Sequence, residues 1–285
     1  MTDRCLQRMV LGAALLLVLP AAAIAQQRPL VTEDPETIGA GNVLIEGGID
    51  VSRDVLFPAS GLRGNLLRAP LIGASVGVSS IAEIQIDGGF YNRLSITERT
   101  DAPLAGMVTA TGNKTTSVED IVVAMKVRLL AEGAQRPAVG IRFATKLPNA
   151  SNESGLGLDT TDFHVTALVG KTVQSIRVVG NVGLGILGDP LRGDRQNDVL
   201  LYGLSLARAV AEGLEIVGEF NGRADTRAGE PPPGTESRAI MLVGGRYTRN
   251  AVRVDAGLLL GMTSRDPSVG IKAGVTWVFR GFTVP

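Results

Sequence analysis

The chain has 285 residues, with 28 Lys and Arg against 28 Asp and Glu, a single histidine and a single cysteine. Balanced charge excludes a surface built to hold nucleic acid. The lone cysteine, Cys5, precedes an apolar run at residues 9–20, so disulfides, thiolate metal sites and cysteine nucleophiles are excluded from everything after that run.

Arg4 and Arg8, the apolar run and the small-residue pattern Ala23-Ile24-Ala25 before Gln26 predict an export signal over residues 1–25. The run is shorter than the ~20 residues a spanning helix needs. Cleavage would remove Arg4, Arg8 and Asp3, leaving 26 basic side chains against 27 acidic ones. Residues 26–41 form a polar, proline-containing leader centred on Thr32-Glu33-Asp34-Pro35. It reads either as a disordered leader or as a short plug.

From residue 42 to Phe279, twelve short stretches alternate apolar and polar residues. Their connections run long, short, long, short. The long ones are read at 52–66, 96–117, 148–161, 188–197, 225–237 and 262–268; the short ones at 79–81, 132–135, 172–175, 211–213 and 249–250. This rhythm predicts an all-β, up-and-down antiparallel barrel of about twelve strands over residues 42–285, of the kind that spans a bacterial outer membrane. No stretch after the signal is apolar for long enough to form a spanning helix, which leaves a closed barrel as the one way to satisfy the backbone in lipid. The 36 glycines, several of them mid-strand, suit a curved wall that packs closely on itself. A soluble all-β protein is the alternative.

The period of two assigns each strand an outer and an inner face. Over 82–90, Ala82, Ile84, Ile86, Gly88 and Phe90 oppose Glu83, Gln85 and Asp87; over 121–129, Ile121, Val123, Met125 and Val127 oppose Lys126 and Arg128. Charge on the apolar face would cost ~2–4 kcal/mol per Arg or Lys at the bilayer midplane. The charged faces are therefore assigned to the lumen. Their anionic members are Glu46, Asp50, Glu83, Asp87, Asp120, Glu215, Glu219 and Asp255; their cationic members are Lys126, Arg128, Arg142, Lys146, Arg177, Arg246, Arg253 and Lys272, with Asn181 between them. Such an interior either pairs internally and braces the wall or sets up a field that filters solutes by charge. Twelve strands enclose a lumen narrower than that of 16–18-strand porins.

Aromatic residues number only eleven, but Phe90, Tyr91, Phe143, Phe163, Phe220, Tyr247, Trp277 and Phe279 fall near strand ends, where interfacial rings belong. The row Ile271, Ala273, Val275, Trp277 and Phe279 resembles the C-terminal recognition strand of outer-membrane barrels, although six residues follow Phe279. Outer-membrane lipid, a small-molecule solute and the barrel-assembly machinery are the expected partners.

Other chemistry finds little support. His164 and Thr166 share a strand face, and outer-membrane phospholipases place a serine where Thr166 stands, but no Asn-Gly follows here. A lone histidine argues against zinc. Glu153, Asp159 and Asp162 lack the spacing of a calcium loop. The G-x-G-x-x-G at residues 183–188 runs into Asp189-Pro190, a turn, where a dinucleotide fold needs a helix. No catalytic residue, metal or cofactor is called for.

The run Arg28-Pro29-Leu30-Val31-Thr32-Glu33-Asp34-Pro35, followed by Gly39, Gly41 and the strand Leu44-Ile45-Glu46-Gly47-Gly48, resembles the start of the outer-membrane barrels named for the phenol meta-cleavage pathway. That resemblance implies an outer-membrane transporter for small, often apolar or aromatic compounds, and supplies no catalytic residue. The expectation is a narrow passive channel. The competing readings are a structural or adhesive barrel with a plugged lumen and ligand-binding loops, and a lipid hydrolase using His164.

Overall fold

A computed structural model describes residues 28–283; the export signal read over 1–25 lies outside these. The described chain forms β1 (Asn42–Phe57), β2 (Leu62–Gly77), β3 (Ala82–Gly89), β4 (Asn92–Arg99), β5 (Lys114–Ser117), β6 (Ile121–Leu130), β7 (Ala138–Leu147), β8 (Asp162–Val173), β9 (Ile176–Gly188), β10 (Gln196–Ala211), β11 (Leu214–Asp225), β12 (Arg238–Arg249), β13 (Val252–Gly261) and β14 (Val269–Arg280). Every pairing is antiparallel, and β1 pairs with both β2 and β14. The closing β1–β14 ladder runs unbroken from Asn42 opposite Arg280 to Arg53 opposite Val269.

Twelve strands make the closed wall, and two further strands extend it. β2 pairs with β3 over Leu71–Gly77 and with β4 over Leu62–Arg68, so β3 and β4 act as one interrupted strand. The interruption lies beside Pro70, which has no N–H to give the ladder. β5 and β6 continue one another in the same way, pairing with β4 and β3 respectively.

This extension corrects two of the predicted connections. The loop read at 52–66 is strand for most of its length, and only residues 58–61 separate β1 from β2; the loop read at 96–117 shrinks to 100–113. Polar residues such as Arg53 and Asp54 break the apolar row there, but they do so above the lipid-facing zone, where the outer face meets water. The strands continue because they carry an apolar cluster of their own. Val55, Leu62, Leu66 and Leu94 are buried together, with Phe57, Ile96, Val108 and Leu156 packed against them. The long segment 148–161 therefore docks onto the raised hairpins through Leu156, and Ser60 Oγ donates to the Gly155 carbonyl at 2.7 Å.

The outer face is apolar on all sides. Ile45 on β1, Ile84 on β3, Val123 on β6, Leu184 on β9, Ile216 on β11 and Leu258 on β13 are all exposed. A belt of that extent is far larger than any patch a water-soluble monomer shows, which removes the soluble alternative. Tyr247 and Trp277 lie toward the short-turn end of the belt, and Phe90, Tyr91 and Phe163 toward the long-loop end. Val182, mid-strand in β9 and 55% exposed, gives a direct test. Val182→Arg is expected to lower stability by about 2–4 kcal/mol in lipid vesicles, measured by urea titration; a loss near zero would mean that this face does not meet lipid.

Residues 28–41 lie inside the barrel. They enter at the short-turn end, where Gly41 N–H donates to the Gly77 carbonyl and Gly281 N–H to that of Gly41. The segment then follows the inner wall from β3 past β6, β9 and β11 to β13 and β14, nearly a full circuit. Leu30, Thr32, Glu33, Thr37 and Ile38 are all buried.

Candidate functional site: the lumen and its inner segment

The segment holds the wall through its own acids. Lys126 Nζ, fully buried, lies 2.7 Å from Glu33 Oε1 and 3.1 Å from Glu83 Oε1, and donates to the Asp34 carbonyl at 3.0 Å. Arg142 Nε donates to Gln85 Oε1 at 2.7 Å and stands 3.5 Å from Glu33. Asn181 brackets the Glu33 backbone, accepting its N–H at 2.7 Å and donating to its carbonyl at 2.8 Å. Arg177 binds both carboxylate oxygens of Asp34, at 2.8 and 2.7 Å, and Arg128 reaches Glu36 at 2.5 Å.

Elsewhere the polarity is reversed, and the wall supplies the acid. Glu219 accepts the backbone N–H groups of Val31 and Thr32, and Glu83 accepts that of Ile38 at 2.7 Å. Arg28 Nε lies 3.6 Å from Asp255, while its Nη2 donates to the Ala273 carbonyl. Leu30 packs with Ala207, Val217 and Leu242 of the wall. Wall glycines make the close approach possible. A Cβ on Gly203 would sit 2.8 Å from Thr32 Oγ1, and one on Gly77 would overlap the Gly39 carbonyl.

The remaining luminal candidates fall into smaller groups. Asp50 takes Arg68 at 2.6 Å and Ser52 at 2.7 Å, with Glu119 on the other arm of Arg68. Lys146 lies between Asp120 and Asp162, at 3.3 and 2.9 Å. Near the short-turn end Glu215 meets Arg246 at 2.7 Å and Arg253 at 3.7 Å. Arg177 also reaches Glu132 in the turn after β6. Burial opposes ionisation of Glu132, but the Thr172 N–H and the Arg177 guanidinium hold its carboxyl below the ordinary range. Glu46 and Asp87 line a cavity of about 220 Å³ with Arg28 and Lys272.

Above the segment the lumen is hollow. An inner chamber of about 560 Å³ has Leu30, Val31, Thr32 and Glu33 on one side, with Arg142, His164, Thr166 and Asn181 among its walls. A vestibule of about 390 Å³ lies between it and the long loops. The two share Arg223, Arg238 and Ile240. Neither arginine was among the luminal residues read from sequence, although extending the β11 parity from Glu215 through Asn221 reaches Arg223. Arg28, Glu33, Asp34 and Glu36 were missed for another reason: they belong to no strand, so no periodicity gives them a face. Glu153, Asp159 and Asp162 do not gather, and no group of three or more metal-ligating side chains occurs among the described residues.

No protein-family model matches the chain, and no curated protein matches it. Solved structures do resemble it. An outer membrane channel from Pseudomonas putida F1 superposes with a TM-score of 0.60 at 12% identity, covering 86% of this chain and 98% of its own. The porin NanC superposes with a TM-score of 0.50 at 9% identity, covering 82% of this chain and 98% of its own. The likeness is one of fold, a closed antiparallel barrel.

Proposed function

We infer that the protein is an outer-membrane channel for passive passage of small molecules, with residues 28–41 as a plug that narrows its periplasmic end. The observation that carries this reading is the stacked pair of cavities inside a closed, lipid-facing barrel, floored by a segment of the same chain. The short turns would face the periplasm and the long loops the exterior, as in outer-membrane barrels generally. A twelve-strand lumen leaves room for small solutes and not for a wide diffusion pore. The structural likeness to an outer membrane channel and a porin fits the same reading. Lipid around the apolar belt, a solute in the lumen and the assembly machinery at the strand ending in Phe279 complete the proposed set of partners.

The ion pairs along residues 33–36 favour a second reading, in which the barrel rests shut and its raised hairpins and loops serve to bind something outside. Catalysis has less behind it. His164 and Thr166 line the inner chamber, and hydrolysis would need the histidine to activate a nucleophile within hydrogen-bond reach.

Refolded protein in a planar bilayer separates these readings. Discrete openings, unaltered in kind by His164→Ala, are expected for the channel. A folded barrel that stays silent would overturn it in favour of the shut, loop-displaying form, and lipid hydrolysis lost with His164→Ala would favour the enzyme.

A further inference from the structure

We propose that the vestibule is a binding site for small organic carboxylates, with Arg238 and Lys272 holding the anionic group. The inference rests on the channel reading for its purpose, but not for its chemistry. Four cations, Arg68, Arg223, Arg238 and Lys272, line the vestibule against one carboxylate, Asp120. Asp120 is already committed to Lys146 and to the backbone N–H groups of Asn149 and Ala150.

The four cations are not equivalent. Arg68 is bound by Asp50 and Glu119, and Arg223 donates to the carbonyls of Glu236 and Gly234 in the loop above it. Arg238 sits directly across the β11–β12 ladder from Arg223, so two like charges face each other. No hydrogen bond or ion pair engages the Arg238 guanidinium among the described residues, and its Nε is buried without an acceptor. The nearby Asp266 accepts from Ala239 N–H and from Thr263 through Oδ2 alone, and its Oδ1 is buried without a hydrogen bond; neither it nor the nearby Glu236 closes an ion pair with Arg238 among the described residues. Lys272 is likewise without a hydrogen bond or ion pair, because its cross-strand neighbour Asp50 is taken by Arg68.

A buried donor without an acceptor is costly, and a charged one more so. An incoming carboxylate relieves that cost at Arg238, whose planar fork matches its two oxygens. The rest of the vestibule selects what the carboxylate is attached to. Val55, Leu66, Leu156 and Leu259 form apolar walls, and the volume of about 390 Å³ lies in the range of small-ligand sites. An anion with an apolar body fits both halves; acetate satisfies only the charge and benzyl alcohol only the walls.

The test uses sodium benzoate, sodium acetate and benzyl alcohol with the full refolded protein. Calorimetry in detergent reads binding whether or not the barrel conducts, and current block in a planar bilayer reads it in a conducting barrel. Benzoate is expected to bind more tightly than either control, and the double variant Arg238→Gln/Lys272→Gln to weaken it about tenfold or more. Heat-modifiable mobility on gels checks that the variant barrel still folds. Benzoate binding without conductance would leave the site standing and remove the channel. Conductance with equal weak effects of all three solutes, or benzoate binding unchanged in the variant, would overturn the site and leave the channel.

Discussion

Deletion of residues 28–37 is expected to raise single-channel conductance several-fold over the intact barrel. The segment makes nearly a full circuit of the inner wall and contributes Leu30, Val31, Thr32 and Glu33 to the surface of the inner chamber. The wall itself does not depend on it, since all twelve strands pair with one another and β1 closes on β14. Removal exposes Lys126, Arg128, Arg142 and Arg177, whose partners Glu33, Asp34 and Glu36 leave with the segment. Water entering the widened lumen solvates these cations, so the opened barrel should also favour anions more than the intact one. Conductance and reversal potential under a salt gradient measure both effects. Unchanged conductance would show that the segment does not limit flow.

The second large effect is expected at Lys126. Lys126→Met should destabilise the barrel by about 3–5 kcal/mol, because it leaves the buried Glu83 without a cation and Glu33 with only Arg142, at 3.5 Å. Glu33 and Glu83 both lie within 3.1 Å of the ammonium group, and each is about 95% buried or more. Gln85 donates to both carboxylates and cannot neutralise either. Adding Glu33→Gln and Glu83→Gln to Lys126→Met should restore most of the loss, since the cluster then holds no unpaired carboxylate and Arg142 keeps its hydrogen bond to Gln85. Urea titrations of the single and triple variants in the same lipid give the comparison. A single-variant loss below about 1 kcal/mol would mean that the triad is hydrated like a surface pair.

The two cases mark how far the sequence could be read. Lys126, Arg128, Arg142, Arg177 and Glu83 were legible as inward-facing because a strand's period of two ties each to its apolar neighbours. Their partners were not legible. The sequence shows a mixed-sign interior and invites pairing of wall with wall, yet Lys126, Arg128, Arg142 and Arg177 are met in large part by Glu33, Asp34 and Glu36. The leader has no repeat to orient it, and its acids look like those of any polar tail. The loop read at 52–66 failed for a related reason. Polar residues on an outer face mark the edge of the lipid as well as the end of a strand, and only the packing of Leu62, Leu66 and Leu94 tells the two apart.

By itself the sequence determined a twelve-strand closed wall, the face each strand turns outward and the sign of many, though not all, of the wall's luminal charges. These follow from local alternation and from the cost of charge in lipid, which act residue by residue. Only the tertiary structure decided that residues 28–41 fold back into the lumen, which acid meets which base, and that Arg238 and Lys272 are left without one. Those outcomes depend on contacts between residues up to 245 positions apart, brought together by barrel closure, and no local pattern encodes them.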